Sequence, residues 1–427
     1  MITVLLGAFW GDEGKGKIIN YLSQRNDLII RYQGGNNAGH TIYYKNIKIK
    51  LSLLPSGITT KNTNNLIASG VALNPDALLQ EVDNLKKSGL FNGKLYISEN
   101  VHLILPYHLR IDELTEKSKG SDKIGTTKKG IGPCYQDKIA RVGIRLVDIE
   151  KTEAFYNKIK NTLFFKNIIF KHFNLPQFSA DQIFEYLLKV KKDLKPYIIN
   201  PQLLLDSFIK ENKKILFEGA QGSLLCYETG TYPYTTSSSP TSSMVFLNSN
   251  LGLRKINKII AVSKAYTTRV GEGPFVTELF DETATYLREK GNEYGTVTKR
   301  PRRIGWLDLF ALKYSIKVNS FTEIIITLID VLSGLKEIKV CVGYQLNGEE
   351  IDYFPLNSHI LKTVKPIYKV FKGWDEDITK ITNYNNLPSN CKNYLQFIED
   401  FINVPIKVIS NGPKKNNIIF KNNNKTK

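Results

Sequence analysis

Short apolar runs rich in β-branched residues alternate along the chain with segments of helical periodicity. The runs predict buried strands at residues 2–6, 28–32, 94–97, 214–217, 258–262, 323–329 and 405–409. Apolar positions at helical spacing lie between several of them, as in 77–87 and 180–194. Buried strands that alternate with helices predict an α/β fold, with a large, mostly parallel central sheet, flanking helices and small helical subdomains.

The chain carries few signs of internal division. It has no internal repeat and no Pro/Gly/Ser-rich linker that separates two parts, so we predict a single α/β domain over residues 1–413. Within it, the Lys-rich stretch from about 150 to 212 predicts a peripheral helical insertion, and TTSSSPTSS at 235–243 predicts a loop. Residues 414–427 hold five lysines and no acid, which predicts a basic C-terminal tail.

Charge and cysteine content narrow the class of protein. Fifty-nine Lys and Arg against 40 Asp and Glu give a net charge of +19, which is compatible with nucleic acid, an anionic membrane surface or phosphorylated small molecules. Four cysteines without a CxxC pair argue against a disulfide scaffold or a structural zinc site. With no signal-peptide pattern and no apolar run long enough to span a bilayer, we expect a cytoplasmic protein.

The first glycine-rich loop, GDEGKGK at residues 11–17, follows the first predicted strand and precedes a helical pattern. It matches G-x-x-x-x-G-K, in which backbone N–H groups, a helix N-terminus and a lysine bind phosphate. Ile18 replaces the Ser or Thr that usually binds Mg²⁺, and Asp12 lies inside the loop. A carboxylate there would repel phosphate unless it binds a metal or takes up a proton; the alternative is a merely tight turn.

The second glycine-rich loop, QGGNNAGHT at residues 33–41, brings a histidine to the end of the second predicted strand. His40 alone would be a structural residue, but beside a phosphate loop it is a candidate acid or charge stabiliser. The remaining histidines have no such surroundings and are predicted to be structural, namely His102, His108, His172 and His359.

Two basic clusters and two uncharged loops are the remaining candidate binding segments. After GTTKKGIGP at 125–133, the residues Lys138, Arg141 and Arg145 would form one face if helical, either an anion site or a solvated surface. TVTKRPRR at 296–303 suits carboxylate or phosphate recognition, and a nucleic-acid patch is the alternative. FEGAQG at 217–222 and GTYPYTT at 230–236 offer amides and hydroxyls, as a base- or sugar-binding wall would.

Taken in order, these segments resemble the adenylosuccinate synthetase family. The similar stretches run from residue 10 to 413 and are WGDEGKGK, QGGNNAGHT, IGTTKKGIGP with DKIARVGIR, FEGAQG with GTYPYTTSS, AYTTRVGEGPF, YGTVTKRPRRIGWLD, IDVLSGLK and VISNGP. The resemblance implies a C–N ligase of purine biosynthesis that joins IMP and L-aspartate, using GTP, through 6-phosphoryl-IMP. It also implies one Mg²⁺ per subunit and a homodimer, with neither a membrane nor a specific nucleic acid as partner.

The resemblance also implies a set of site residues. Asp12 would take the N1 proton of IMP, His40 would stabilise the transferring phosphoryl group, and Gln221 would assist them; Asp12 and the Gly39 carbonyl would bind Mg²⁺. The GTP site would comprise Gly11, Asp12, Glu13, Gly14, Lys15, Gly16, Lys17, Gly39, His40, Thr41, Arg302, Leu328, Ile329, Asp330, Ser410, Asn411 and Gly412. The IMP site would comprise Asp12, Glu13, Gly14, Lys15, Asn37, Ala38, Gly39, His40, Thr127, Gln221, Thr236, Val270, Arg300, and Arg141 from the neighbouring subunit. The aspartate site would comprise Thr296, Val297, Thr298, Lys299, Arg300, Pro301 and Arg302.

Several residues depart from the family pattern. Leu328 stands where a lysine is expected to reach the guanine 6-oxygen, which predicts weaker GTP binding, while Asp330 remains to read guanine. The other departures are lysine for glycine at Lys128 and Lys299, valine for threonine at Val297, and cysteine for aspartate at Cys226. Three alternatives follow: a relative that uses ATP or another purine monophosphate, a dimer without activity, and a nucleic-acid-binding protein whose affinity would fall steeply with salt.

Overall fold

The computed structural model describes residues 1–44, 47–120, 125–252, 256–295 and 300–421. The strands are β1 (Ile2–Gly7), β2 (Leu28–Arg31), β3 (Gly34–Gly35), β4 (His40–Tyr44), β5 (Ile47–Leu51), β6 (Asn64–Ile67), β7 (Val71–Leu73), β8 (Lys94–Ser98), β9 (His102–Leu103), β10 (Ile198–Ile199), β11 (Ile215–Gly222), β12 (Lys258–Lys264), β13 (Thr267–Arg269), β14 (Arg303–Gly305), β15 (Leu307–Asp308), β16 (Glu323–Thr327), β17 (Glu337–Leu346), β18 (Glu349–Ile351), β19 (Lys365–Lys372), β20 (Ile406–Ser410) and β21 (Ile418–Phe420).

The helices are α1 (Lys15–Leu22), α2 (Pro75–Lys87), α3 (Pro106–Ser118), α4 (Ile131–Ile139), α5 (Glu153–His172), α6 (Ala180–Leu194), α7 (Pro201–Lys210), α8 (Met244–Ser249), α9 (Glu282–Lys290), α10 (Leu309–Asn319), α11 (Ser358–Thr363) and α12 (Ser389–Ile402). Within the described residues, none of these helices has the length and apolarity needed to cross a membrane.

A ten-stranded sheet forms the centre of the fold. Its order is β10–β8–β6–β2–β11–β1–β12–β16–β20–β21, and every pairing is parallel except that of β20 with β21. All six residues of β1 are buried, because helices cover both faces of the sheet, and this explains the continuous apolar run. The prediction of a mostly parallel α/β sheet is confirmed.

The packing of α1 against the sheet determines the position of the first glycine-rich loop. Successive residues of β1 face opposite sides of the sheet, so that Val4 joins the largest apolar cluster while Leu5 joins a smaller one on the other face. Ile18 and Ile19 of α1 pack beside Leu5 in this smaller cluster. The helix therefore begins above the carboxyl end of β1, where ligands bind in open α/β sheets.

The segment predicted as a peripheral helical insertion, about 150–212, contains two kinds of structure. Helices α5 and α6 pack together in a second apolar cluster, away from the centre of the sheet. In contrast, β10 pairs with β8 at the sheet edge, and α7 contributes Leu204 and Leu205 to the largest cluster. The residues 235–243 form a loop, as predicted.

The predicted boundary of the basic tail at residue 414 is wrong. The chain returns as β21, in which Ile418 pairs with Ser410 and Ile419 pairs with Ile409 of β20. Both isoleucines are buried, so apolar burial keeps this stretch in the sheet although lysines surround it. Residues 422–427 lie outside the described part of the chain.

Candidate active site

The phosphate loop turns sharply between β1 and α1. Gly11, Asp12 and Gly14 have positive φ values of 91°, 61° and 80°, and α1 begins at Lys15. Glycine adopts this left-handed backbone without a steric penalty, which explains its use at positions 11 and 14. Asp12 adopts it as a non-glycine residue, and its carboxylate lies at the mouth of the loop, 31% exposed. The loop therefore has the strand–loop–helix setting predicted for it.

Glu13 holds the loop together from inside. Its carboxylate is 2% exposed and accepts hydrogen bonds from the backbone N–H groups of Phe9 at 3.1 Å and Gly11 at 2.9 Å. The Nζ of Lys15 lies 2.5 Å from the other carboxylate oxygen, and Lys15 is itself 4% exposed. A buried charge is stable when it is paired and hydrogen-bonded, as here. Lys15 is thus fixed beside the loop by its neighbour.

Lys17 connects the phosphate loop to the C-terminal strands. Its Nζ lies 2.7 Å from the Ser410 hydroxyl, 2.6 Å from the Gly412 carbonyl oxygen and 3.0 Å from the Asn417 carbonyl oxygen. Burial lowers the pKa of Lys17 to about 8, against the opposing charge of Asp330. Residues predicted for one GTP site therefore meet, although 393 positions separate Lys17 from Ser410.

The end of β16 lies against the phosphate loop. Thr327 donates its hydroxyl hydrogen to the carbonyl oxygen of Glu13 at 2.8 Å, and a Cβ built on Gly14 would lie 3.8 Å from Cδ1 of Leu328. Leu328 has a φ of 54°, so the strand ends at residue 327 and not at 329 as predicted. Asp330 follows, half-buried, and burial raises the pKa of its carboxyl group. Two further residues predicted for the GTP site, Ile329 and Asn411, are buried.

His40 is held by a buried carboxylate that the sequence analysis did not single out. Its Nδ1 bonds to Glu218 of β11, and Ser56 donates to the same carboxylate from its backbone N–H at 2.8 Å and its hydroxyl at 2.7 Å. Burial lowers the pKa of His40; burial alone would raise the pKa of Glu218, but the charges of His40 and Arg31 outweigh it and lower that pKa. The contact with Glu218 through Nδ1 therefore fixes the orientation of the imidazole ring.

The other ring nitrogen of His40, Nε2, has no hydrogen-bond partner within the described part of the chain. Among the described residues, His40 Nε2 and Gln221 Oε1 are buried and make no hydrogen bond. A Cβ built on Gly16 would lie 3.2 Å from Cβ of His40, and one built on Gly11 would lie 3.4 Å from Cα of Gln221. Gln221 also donates from Nε2 to Oδ1 of Asn37 at 3.2 Å. Both residues adjoin glycines of the phosphate loop, so these two atoms are available to a ligand bound there.

Two contacts connect further loops that carry predicted IMP residues. A Cβ built on Gly125 would lie 3.6 Å from Cα of Gly271, which brings the loop of Thr127 to that of Val270. Ser238 donates its hydroxyl hydrogen to Gln33 at 3.2 Å, which ties the loop of Thr236 to the second glycine-rich loop. The predicted IMP residues there are half-buried or exposed, as a binding wall requires, except for Ala38, which is buried.

The structure places Arg302 beside Asp12. The Nε of Arg302 lies 3.0 Å from Oδ2 of Asp12, as an ion pair without hydrogen-bond alignment, and its Nη1 donates to Glu293 at 2.6 Å. Arg300 is exposed and lies 3.6 Å from Glu272, and Pro301 is also exposed. The remaining residues predicted for the aspartate site lie outside the described part of the chain, namely Thr296, Val297, Thr298 and Lys299.

Lys138, Arg141 and Arg145 do not share one helix face, because the segment is not helical throughout, as such a face would require. Helix α4 ends at residue 139, Arg141 has a φ of 64°, and the carbonyl oxygen of Asp137 accepts from two backbone N–H groups beyond the helix. Arg145 lies further along and pairs with Asp148 at 2.8 Å. Arg141 is consequently presented alone on an exposed turn.

Comparison with known proteins agrees with this arrangement. A sequence profile of the adenylosuccinate synthetase family matches residues 4–419. The adenylosuccinate synthetase of Malacoplasma penetrans is 48% identical over 423 residues, which cover 99% of each chain. The fully ligated enzyme of Plasmodium falciparum superposes with a TM-score of 0.92 at 39% identity, covering 99% of this chain and 100% of that one.

A more distant structure shares only the fold. The succinoaminodeoxyadenylate synthetase of cyanophage S-2L, solved with dGMP and with dATP as energy donor, gives a TM-score of 0.61 at 18% identity, and the match covers 98% of this chain and 94% of that one. The family profile and the relative that is 48% identical both match almost the whole length of the chain, including the site described above. The chain belongs to the adenylosuccinate synthetase family, the ligases that join IMP and L-aspartate to adenylosuccinate with GTP.

Proposed function

We propose that Asp12 starts the reaction by taking the N1 proton of IMP. The electron pair released at N1 makes the 6-oxygen nucleophilic, so that it bonds to the γ-phosphorus of GTP while the bond to the β-phosphate oxygen breaks and GDP leaves. The amine of L-aspartate then attacks C6 of 6-phosphoryl-IMP. Phosphate departs with the former 6-oxygen, and the amine loses a proton, so adenylosuccinate, GDP and phosphate result.

The two unpartnered atoms at the phosphate loop carry this proposal. Glu218 occupies Nδ1 of His40, so Nε2 stays available for a γ-phosphoryl group bound at the loop. In the imidazolium form, with Glu218 as counter-charge, the histidine would donate its Nε2–H to the phosphoryl oxygens as their negative charge develops. Gln221 offers an amide oxygen on the other side of the loop, next to Asn37 and the predicted IMP wall.

GTP would lie along the phosphate loop with guanine beside the C-terminal strands. The N–H groups at the start of α1 and Lys15 would contact the phosphates. Asp330 would accept hydrogen bonds from N1–H and the 2-amino group of guanine, which adenine does not offer in that pattern. Lys17 would support this pocket by holding Ser410 and Gly412 against the loop.

The two residues predicted to bind Mg²⁺, one in each glycine-rich loop, suit that ion. Asp12 supplies a carboxylate and Gly39 a carbonyl, which are the hard oxygen ligands that this ion prefers. The described residues contain no group of three or more acidic, histidine or cysteine side chains able to cage a metal, as expected where substrate phosphates complete the coordination. When bound, the ion would neutralise charge on the phosphates of GTP.

The other predicted contacts fit the same arrangement. Asn37 contacts Gln221, and the loops of Thr127 and Val270 meet each other. These three residues and Thr236 would bind IMP. The loop from 296 to 302 would bind L-aspartate, with Arg300 reaching towards IMP and Arg302 towards GTP. Arg302 lies beside Asp12, where L-aspartate and IMP would meet.

The exposed surface around Arg141 supports the proposal of a homodimer. It lies on an exposed turn flanked by Ile139, 77% exposed, and α5 packs on this turn through a hydrogen bond from Thr162 to the carbonyl of residue 142. Phe164 and Phe165 of α5 are 62% and 70% exposed. An apolar surface of this kind is typical of a protein interface, and a second copy seated on it would receive Arg141 at its IMP site.

Complementation between subunits tests these roles together. Asp12→Ala and Arg141→Leu are each expected to abolish adenylosuccinate formation with GTP and Mg²⁺. Mixed in equal amounts and allowed to exchange subunits, the two variants should recover about one quarter of wild-type activity, because half the dimers then contain one intact site out of two. No recovery from folded, exchanging dimers would contradict the shared site, and full activity of Asp12→Ala would contradict the role of Asp12.

A further inference from the structure

A buried charge cluster with no role in the scheme above lies behind Arg302. Lys264 at the end of β12 and Glu293 after α9 are 2% and 1% exposed, and their Nζ and Oε1 atoms lie 2.6 Å apart. Tyr266 donates its hydroxyl hydrogen to the same oxygen. Burial alone would raise the pKa of the Glu293 carboxyl group, but the charges of Lys264 and Arg302 outweigh it and lower that pKa. Glu293 is therefore ionised.

Glu293 holds Arg302 at two points. Its second carboxylate oxygen accepts from Nη1 of Arg302 at 2.6 Å, and its carbonyl oxygen accepts from the backbone N–H of Arg302 at 2.9 Å. The Nε of the same guanidinium lies 3.0 Å from the Asp12 carboxylate. A guanidinium can receive a carboxylate on more than one edge. One edge is thus fixed from behind, while the edge that carries Nε faces the site.

We propose that Glu293 is a positioning residue for L-aspartate, fixing Arg302 so that its Nε edge is directed at the incoming carboxylate. In the structure that edge lies against the carboxylate of Asp12. When Asp12 turns to N1 of IMP, the edge becomes free for aspartate while Glu293 still neutralises the guanidinium. This inference rests on the proposed function in one respect, namely that Arg302 belongs to the aspartate site.

The charges of the cluster agree with this role. Lys264 and Arg302 carry two positive charges, balanced by Glu293 and Asp12. Arg302 is 11% exposed, and a guanidinium so enclosed needs a counter-charge whenever Asp12 is engaged elsewhere. Glu293 supplies that counter-charge from a position at which it cannot displace the substrate.

Two substitutions break the same buried ion pair from opposite sides. Glu293→Gln removes the charge that holds Arg302, whereas Lys264→Met leaves Glu293 on Arg302. Glu293→Asp keeps a negative charge beside Lys264, but its shorter side chain does not extend as far towards Arg302. This variant replaces Glu293→Gln in the test if Glu293→Gln folds poorly. Glu323→Gln is the control: it breaks a more exposed pair with Lys258, which lies at the end of β12 opposite to Lys264. Each variant is assayed for kcat, for the KM of all three substrates and for its thermal midpoint.

The outcome separates positioning from stability. Glu293→Gln should raise the KM for aspartate about 10- to 100-fold, the effect of one charge-assisted hydrogen bond, with the KM for IMP nearly unchanged. Glu293→Asp should raise it less, and Lys264→Met and Glu323→Gln should leave it within about threefold of wild type even where the thermal midpoint falls. An equal rise in Lys264→Met would overturn the inference, because Glu293 would then only neutralise Lys264.

A reference variant distinguishes failure of the inference from failure of the proposed function. Arg302→Leu should raise the KM for aspartate at least as much as Glu293→Gln does. If it does so while Glu293→Gln does not, Arg302 binds aspartate without help from Glu293, and only the inference is wrong. If Arg302→Leu leaves that KM unchanged, the proposed aspartate site is wrong and the inference is wrong with it.

Discussion

Glu218→Gln tests whether a buried carboxylate orients His40. In the wild type this carboxylate is fully buried and accepts from His40 and, twice, from Ser56, while it also faces the charge of Arg31. The amide has nearly the same shape but brings an N–H₂ group. One of these donors then faces another donor, so either Ser56 or the ring of His40 must turn away.

The structure allows the magnitude to be worked out. Breaking a buried ion pair on one side usually costs about 3–5 kcal/mol of folding free energy. Arg31 keeps Glu81 as a second counter-charge, so we expect the low end of that range, about 3 kcal/mol. Loss of the oriented Nε2 should lower kcat about 100-fold, as for other groups that stabilise charge in a transition state.

Glu81→Gln is the matched control. Glu81 also interacts with the charge of Arg31, but it accepts from the backbone of Ser52 at 2.9 Å and Leu53 at 3.0 Å and does not contact His40. Urea unfolding followed by tryptophan fluorescence gives the stability of both variants, and adenylosuccinate formation gives kcat. We expect similar destabilisation but a loss of kcat only in Glu218→Gln. Equal kcat values in the two variants would refute the reasoning.

Three further predictions concern other parts of the structure. Leu328→Lys should lower the KM for GTP about tenfold without changing that for IMP, because the ammonium can reach the guanine 6-oxygen; steady-state kinetics check this, and an unchanged KM would mean that the lysine does not contact guanine. Lys128 has a φ of 53°, so Lys128→Gly should be about 1 kcal/mol more stable than Lys128→Ala in urea unfolding, and a more stable alanine variant would contradict that strain. Burial raises the pKa of Asp308 to about 6, so its ionisation works against the fold as the pH rises. Relative to Asp308→Asn, the wild type should lose about 1.5 kcal/mol of stability between pH 5 and pH 8, and a constant difference would refute the raised pKa.

The sequence predicts the sheet well because its strands are buried on both faces. Residues such as those of β1 must then be continuously apolar, and the glycines that turn the chain into α1 stand at their characteristic spacing. The strand β21 was missed because only three residues enter the sheet and lysines and asparagines flank them. Short edge strands leave little periodic signal.

Side-chain partners distant in sequence account for what the sequence did not predict in the site. Glu218 and His40 lie 178 residues apart, and an acidic residue within a buried strand was the one available signal. Glu293 precedes the predicted aspartate loop but looks like an ordinary surface acid until Lys264 is brought beside it. The spacing of Arg141 would place it on a helix face only if the segment were helical, and the helix ends before it. Spacing predicts local structure, whereas ion pairs depend on the whole fold.

Transfer of the 6-oxygen of IMP to phosphate tests the central claim most directly. IMP labelled with ¹⁸O at the 6-position is incubated with L-aspartate, GTP and Mg²⁺, and the released phosphate is analysed by mass spectrometry. The account predicts that each phosphate carries the ¹⁸O from IMP, and that Asp12→Ala forms neither phosphate nor adenylosuccinate. Adenylosuccinate formed together with unlabelled phosphate would contradict a 6-phosphoryl intermediate at this site.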